Sequence, residues 1–158
     1  MLPSGGVHFR VWASCRQRVE VVLEGGPGHH PGAGPITVAL EPEGDGYFSG
    51  LVPEASAGTL YRYRLDGEAE SYPDAASRFQ PHGPHGPSQV IDPGAFQWHD
   101  QGWRGVPLEG QVIYEMHVGT FTPAGTWEAV IGELPVLAEL GVTVLEIMPI
   151  ADLSLIHI

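Results

Sequence analysis

Four ionisable side chains stand near the ends of two apolar runs. In QVIYEMHV (111–118), alternation puts Glu115 and His117 on one face of a strand and Tyr114 and Met116 on the other. In VTVLEIMPIAD (142–152), Glu146 interrupts an apolar strand and Asp152 lies beyond its C-terminal end. Ionisable residues near the C-terminal ends of parallel strands lie where α/β folds build their active sites. By that position His117 and Asp152 are substrate-side candidates. Glu115 and Glu146 are read as structural polar residues that neighbouring strands satisfy. Paired carboxylates of the kind that cleave glycosidic bonds have to come from separate strand ends, and only two such strands are present. No nucleophile and base pair can be assembled from these residues.

Other groups point to chemistry less strongly. Histidines at 29, 30, 82, 85, 99 and 117 raise the question of a metal. His82 and His85 are three apart, but in a Pro/Gly segment that fixes no helical face, and no cysteine is near; no metal is expected. Loop-ordering hydrogen bonds suit them better. Arg78 could grip a carboxylate in a fork, but an arginine that holds the carbonyls of its own irregular segment explains it as well. Trp12, Tyr47, Trp98 and Trp103 could stack on sugar rings, yet large aromatics more often pack in a core or between domains.

Elements that would position these residues follow from periodicity. VHFRVW (7–12) alternates, VEVVL (19–23) follows, and YRYRLDG (61–67) places Tyr61, Tyr63 and Leu65 inward with Arg62 and Arg64 outward. ITVAL (36–40) and GYFSGL (46–51) fill the gaps. GGPGHHPGAGP, EPEGDG, PEASAG and DGEAE separate the runs as turn clusters. Residues 1–92 are therefore expected to form an all-β sandwich of short strands. The Pro/Gly-rich stretch around 71–110 is expected to be an ordered connection anchored by Phe79, Phe96, Trp98 and Trp103, with 93–110 as the linker proper.

The period then changes. TWEAVIGELPVLAELG (126–141) has helical spacing, with Thr126 as the cap and Gly141 at the C-terminal turn. Pro135 inside it predicts a kink or two short helices in tandem. Strand 111–118, this helix and strand 142–148 make one βαβ unit over residues 111–152.

The totals exclude several functions. The chain has 158 residues and a formal charge of −12, and its seven basic residues are all arginine. Without a basic stripe, neither nucleic acid nor an anionic membrane is an expected partner. No apolar run reaches the ~18–20 residues of a membrane helix. The opening MLPSGGVHFRVW has no secretory pattern, and Cys15 is the only cysteine, so a cytoplasmic protein without an intrachain disulfide is expected.

VHFRVWAS, YRYRLDG, PDAASRFQPHGPHGPS, VIYEMHVGTFTPAGTW and LPVLAELGVTVLEIMPIAD, in that order, resemble the N-terminal part of the malto-oligosyltrehalose trehalohydrolases of the α-amylase superfamily. The resemblance covers nearly all of residues 5–152. Glycogen branching and debranching enzymes share the architecture with different versions of the first-strand phrase. The resemblance implies an immunoglobulin-like domain of carbohydrate-binding type, followed by the first βαβ unit of an incomplete (β/α)8 TIM barrel. It implies a retaining glycoside hydrolase that releases trehalose from maltooligosyl trehalose by cleaving the adjacent α-1,4 bond, without a cofactor. The family's catalytic Asp, Glu and Asp come from later barrel strands, so this chain alone is expected to be inactive. It is also expected to expose bare strand edges and to aggregate. Motif matching carries over Tyr114, His117 and Asp152 as substrate-side residues. An α-glucan or maltooligosyl trehalose is the implied partner; a glucan-binding module alone is the other reading. Residues 153–158, LSLIHI, depart from the family pattern, resemble a translated sequencing adapter, and are expected to be a non-native tail.

Overall fold

The structure is a computed structural model, and it describes residues 5–27, 29–30, 32, 34–148 and 150. It is mostly β with few helices. The chain divides into two compact units, the first ending at Gln97 and the second beginning at Trp98.

In the first unit the alternating runs become strands. They are β1 (Val7–Trp12), β2 (Val19–Gly25), β3 (Ile36–Ala39), β4 (Glu41–Gly44), β5 (Tyr47–Val52), β6 (Leu60–Leu65) and the short β7 (Ser88–Gln89). Among the described residues they form two antiparallel sheets, ordered β1-β5-β4 and β3-β2-β6-β7. One apolar cluster takes residues from both sheets: Val7, Phe9, Phe48 and Val52 from one, Val19, Val21, Leu23, Tyr61 and Tyr63 from the other. Phe9 meets Tyr61 edge-on at 4.9 Å, and Tyr61 meets Tyr63 at 5.8 Å. Val19, Val21 and Val52 are fully buried. Burial of each such side chain stabilises by about 1.5–3 kcal/mol before conformational entropy is counted.

One strand was not expected. EPEGDG carries turn residues, but only Asp45 and Gly46 make the turn, both at positive φ (49° and 80°). That pair suits the two-residue hairpin whose twist matches its flanking strands. Glu41–Gly44 pairs with β5 as an edge strand, where Pro42 is tolerated because its missing N–H has no partner to lose. The hairpin tip lies against the end of β1. Ala13 N donates to Gly46 O at 2.7 Å, and a Cβ on Gly46 would lie 2.5 Å from Ser14 Cβ.

The second unit holds β8 (Ile113–Met116), the single turn α1 (Val118–Phe121), α2 (Trp127–Glu139) and β9 (Val144–Ile147). β8 and β9 pair in parallel, Ile113 opposite Val144 through Met116 opposite Ile147. Thr126 Oγ1 caps α2 by accepting from Ala129 N at 3.3 Å, and Gly141 turns the chain at φ 96°. Two tandem helices are not found: α2 runs unbroken through Pro135. The lost bond falls at the carbonyl of Ile131, a residue 63% exposed, where water can take its place.

Candidate functional site

Asp74 ties the Pro/Gly-rich segment after β6 to the first unit. Tyr61 Oη donates to Asp74 Oδ2 at 2.7 Å, and Asp74 N donates to the fully buried Ser88 Oγ at 3.0 Å. Asp74 Oδ1 also accepts from Ala76 N at 2.8 Å, a local turn of the type aspartate favours. Burial, with the carboxylate beside it, pushes the Tyr61 phenol well above its usual range, so it stays a donor. Further along, Gln89 N donates to Phe79 O, Gln80 Nε2 to Pro84 O, and Arg62 Nη2 to His85 O. PDAASRFQPHGPHGPS is thus a hydrogen-bonded brace laid along β6. His85 contributes to it through its backbone. Among the described residues Arg78 makes neither proposed contact; it is exposed and borders a cavity of about 270 Å³ beside Val7, Phe9 and Tyr61.

Charged side chains line the start of β2. Glu20 is buried and accepts from Arg18 Nη2 at 2.6 Å and Arg64 Nε at 2.8 Å. The Arg64 hydrogen bond holds its carboxyl below the usual glutamate range. Asp66 Oδ1 accepts from the backbone N–H groups of Arg18 and Gln17, which hold it low as well.

Tyr114 and His117 belong to the second unit. Tyr114 is half-exposed on β8 and meets Phe121 edge-on at 6.0 Å. His117 is not a strand residue, as periodicity suggested. β8 ends at Met116, and His117 is the N-cap of α1, without a capping bond from its side chain. Its carbonyl accepts from Thr120 N and Phe121 N, which starts the helical turn. The ring lies against Gly119, where a Cβ would fall 3.0 Å from Cε1. At Gly125, with φ of 62°, a Cβ would fall 2.9 Å from Gly119 O. GTFTPAG therefore closes a tight loop whose far end, Gly125, needs glycine both for its φ and for its approach to the Gly119 carbonyl. Asp152 lies outside the described residues, as does LSLIHI.

Register brings together two residues that the pattern kept apart. Glu115 and Glu146 are directly paired across the parallel strands, so their side chains leave one face from backbones about 4.8 Å apart. Both are exposed, and among the described residues neither side chain has a hydrogen bond or ion pair. The expectation that neighbours satisfy them is not met. Among the described residues no three His, Cys, Asp or Glu side chains converge on a possible metal position. Of the aromatics expected to anchor the connection, Phe79 is 48% exposed, Phe96 65%, Trp98 66% and Trp103 69%, so none is a core residue. Trp12 too is largely exposed rather than core. No helix among the described residues is long and apolar enough to cross a membrane.

Comparison with solved structures gives the class. A Salmonella typhimurium protein assigned as an alpha amylase superposes with a TM-score of 0.85 and 42% identity, over 98% of this chain and 24% of that one. A pullulanase from Anoxybacillus, solved with maltotriose, shares the fold at a TM-score of 0.75 and 19% identity, over 95% and 25%. The fold is thus one that these two larger proteins contain within about a quarter of their length. Among curated proteins, the chain is a homologue of malto-oligosyltrehalose trehalohydrolases. It is 42% identical to that of Saccharolobus solfataricus over 152 residues and 40% identical to that of a Rhizobium strain over 150. Those matches span 96% and 92% of this chain but 25% and 24% of the relatives, so the chain spans about a quarter of their length. A branching enzyme of Xanthomonas oryzae is more distant at 30%. No family model matches the chain.

Proposed function

We propose that this chain is the amino-terminal quarter of a retaining glycoside hydrolase that releases trehalose from maltooligosyl trehalose by cleaving the adjacent α-1,4-glucosidic bond. The observation that carries the proposal is 42% identity to a trehalohydrolase over 96% of the chain. In this reading residues 1–92 are an immunoglobulin-like, carbohydrate-binding-type domain, 93–110 a linker, 111–152 the opening βαβ unit of a (β/α)8 barrel, and 153–158 a non-native tail. The enzyme is cytoplasmic and its partner is an α-glucan. Tyr114, His117 and Asp152 face the substrate side. The nucleophile, the acid/base and the third carboxylate come from later barrel strands, the reacting pair ~5–5.5 Å apart.

Three features support the reading. The parallel β8–α2–β9 arrangement is the repeating unit of such a barrel. His117 follows the C-terminal end of β8, the end at which barrel enzymes build their sites. The loop after His117 closes tightly, with Gly125 packed on the Gly119 carbonyl.

The test is expression of the uninterrupted reading frame that continues past Asp152, with maltotriosyl trehalose as substrate. Trehalose release is the expected result. New α-1,6 linkages in amylose, or cleavage of α-1,6 bonds in pullulan, would assign a branching or debranching enzyme instead. The 158-residue chain alone is expected to release no trehalose, because one βαβ unit cannot close a barrel.

A further inference from the structure

We infer that the free border of β1 is a docking site for an extended peptide that carries an apolar side chain and a carboxylate, its backbone adding to β1 and its carboxylate meeting Arg78. The border is open. β1 pairs with β5 from Val7 to Trp12 without a bulge, and among the described residues no backbone hydrogen bond reaches β1 from its other side. Nothing in VHFRVW blunts it: the strand holds no proline and no acidic side chain. A border left in that state accepts a further strand.

A slot runs beside it. The cavity of about 270 Å³ is lined by residues 7–10 of β1 and by residues 89–91, the end of β7 and its continuation. Successive residues of a strand face opposite sides, so a cavity that touches four in a row follows the border of β1 rather than one face. Tyr61 and Tyr63 also line it, and both are buried, so its inner wall is aromatic. An extended segment in this slot sets alternate side chains toward Phe9 and Tyr61 while its backbone lies along β1.

Charge gives the second requirement. Among the described residues of the first unit, Arg10, Arg16, Arg18, Arg62 and Arg64 are each held in an ion pair, and Arg78 is in none. Arg78 lines the same cavity. Asp74 lines it too, but its oxygens already accept from Tyr61 Oη and Ala76 N. A guanidinium without a carboxylate of its own is a fork for one from outside. A second copy of β1 does not supply it. VHFRVW has no carboxylate, and antiparallel self-pairing would bring the His8 and Arg10 side chains of the two copies together.

The test is fluorescence anisotropy with short acetylated, amidated peptides of alternating valine and threonine. Each carries one glutamate at a different position, and each has a matching glutamine peptide. With the 158-residue chain, at least one glutamate peptide should bind about tenfold or more tightly than its glutamine partner. Arg78→Gln should abolish that preference, and Arg104→Gln should keep it. Bound peptide should slow amide hydrogen exchange at residues 7–12 and leave residues 36–44 unchanged. Thermal melts establish that each variant is folded. Equal binding of the glutamate and glutamine peptides, or a preference that survives Arg78→Gln, would overturn the site. Binding that leaves residues 7–12 unprotected, or no binding at all, would overturn it as well. The titration is repeated with the uninterrupted reading frame, where the same preference is expected. Its loss there would show that later residues of the same chain fill the slot, and would overturn a separate partner.

Discussion

Tyr61 donates a 2.7 Å hydrogen bond to Asp74, thirteen residues further on, and so fastens the Pro/Gly-rich brace to β6. Tyr61→Phe removes the donor but keeps the ring that packs on Phe9. It should destabilise the first unit by about 1–3 kcal/mol, read as a lower urea midpoint with unchanged slope. Ser88→Ala, which strips the acceptor of Asp74 N, should cost a similar amount. The double variant should cost less than the sum, because both act through Asp74.

Gly46 lies in the β4–β5 turn and Gly44 just before it, both at positive φ, but they differ in their surroundings. A Cβ at Gly46 would strike the Ser14 backbone at 2.6 Å, whereas one at Gly44 meets nothing within 4 Å. Gly44→Ala should cost only the conformational strain, roughly 1–2 kcal/mol. Gly46→Ala should cost more, about 3 kcal/mol, by adding the displacement of Ser14. Paired thermal melts check the difference.

Much of the first unit was legible from its alternation. β1 was read from VHFRVW and β6 from YRYRLDG because each has one buried face. β4 was missed because Glu, Pro and Gly signal a turn locally, while pairing with β5 is decided by the rest of the sheet. The brace was missed for another reason. Alternation says that Tyr61 points inward but not which residue meets its hydroxyl. PDAAS did carry a signal, an aspartate two residues before a free backbone N–H, but the link to Ser88 is long-range. His117 was misplaced by one element because a strand residue and a helix N-cap share extended φ and ψ; Gly119, two residues on, lies in the helical turn that follows.

Acid should weaken the first unit through Glu20. Its carboxyl titrates below the ordinary glutamate value of about 4.3 in the folded chain because Arg64 and Arg18 hold the charged form. A depressed folded value means that the stabilisation is complete above the unfolded value and is lost as the pH falls through the folded one. Asp66 acts in the same sense. Urea midpoints should therefore be flat near neutrality and fall below about pH 4. Glu20→Gln should lower the neutral plateau and flatten the acid limb.

Thr126 and Pro135 act oppositely on α2. Thr126→Ala removes the cap to Ala129 N and should cost about 1 kcal/mol. Pro135→Ala restores the missing backbone donor and should stabilise the helix by up to roughly 3 kcal/mol. Amide hydrogen exchange within residues 127–139 reports both.

In the complete enzyme His117→Ala should lower kcat/KM ten- to a hundredfold if the ring contacts substrate in the transition state. The urea midpoint of the first unit should not move, which separates a lost contact from a lost fold.

The two outer strands of the three-stranded sheet are unequal neighbours for a second chain. β4 presents Glu41, Pro42 and Glu43, two carboxylates and a residue without an N–H, and such a border repels strand addition. β1 (Val7–Trp12) has no strand partner on its other side among the described residues. Self-association through this sheet is therefore steered to one side only.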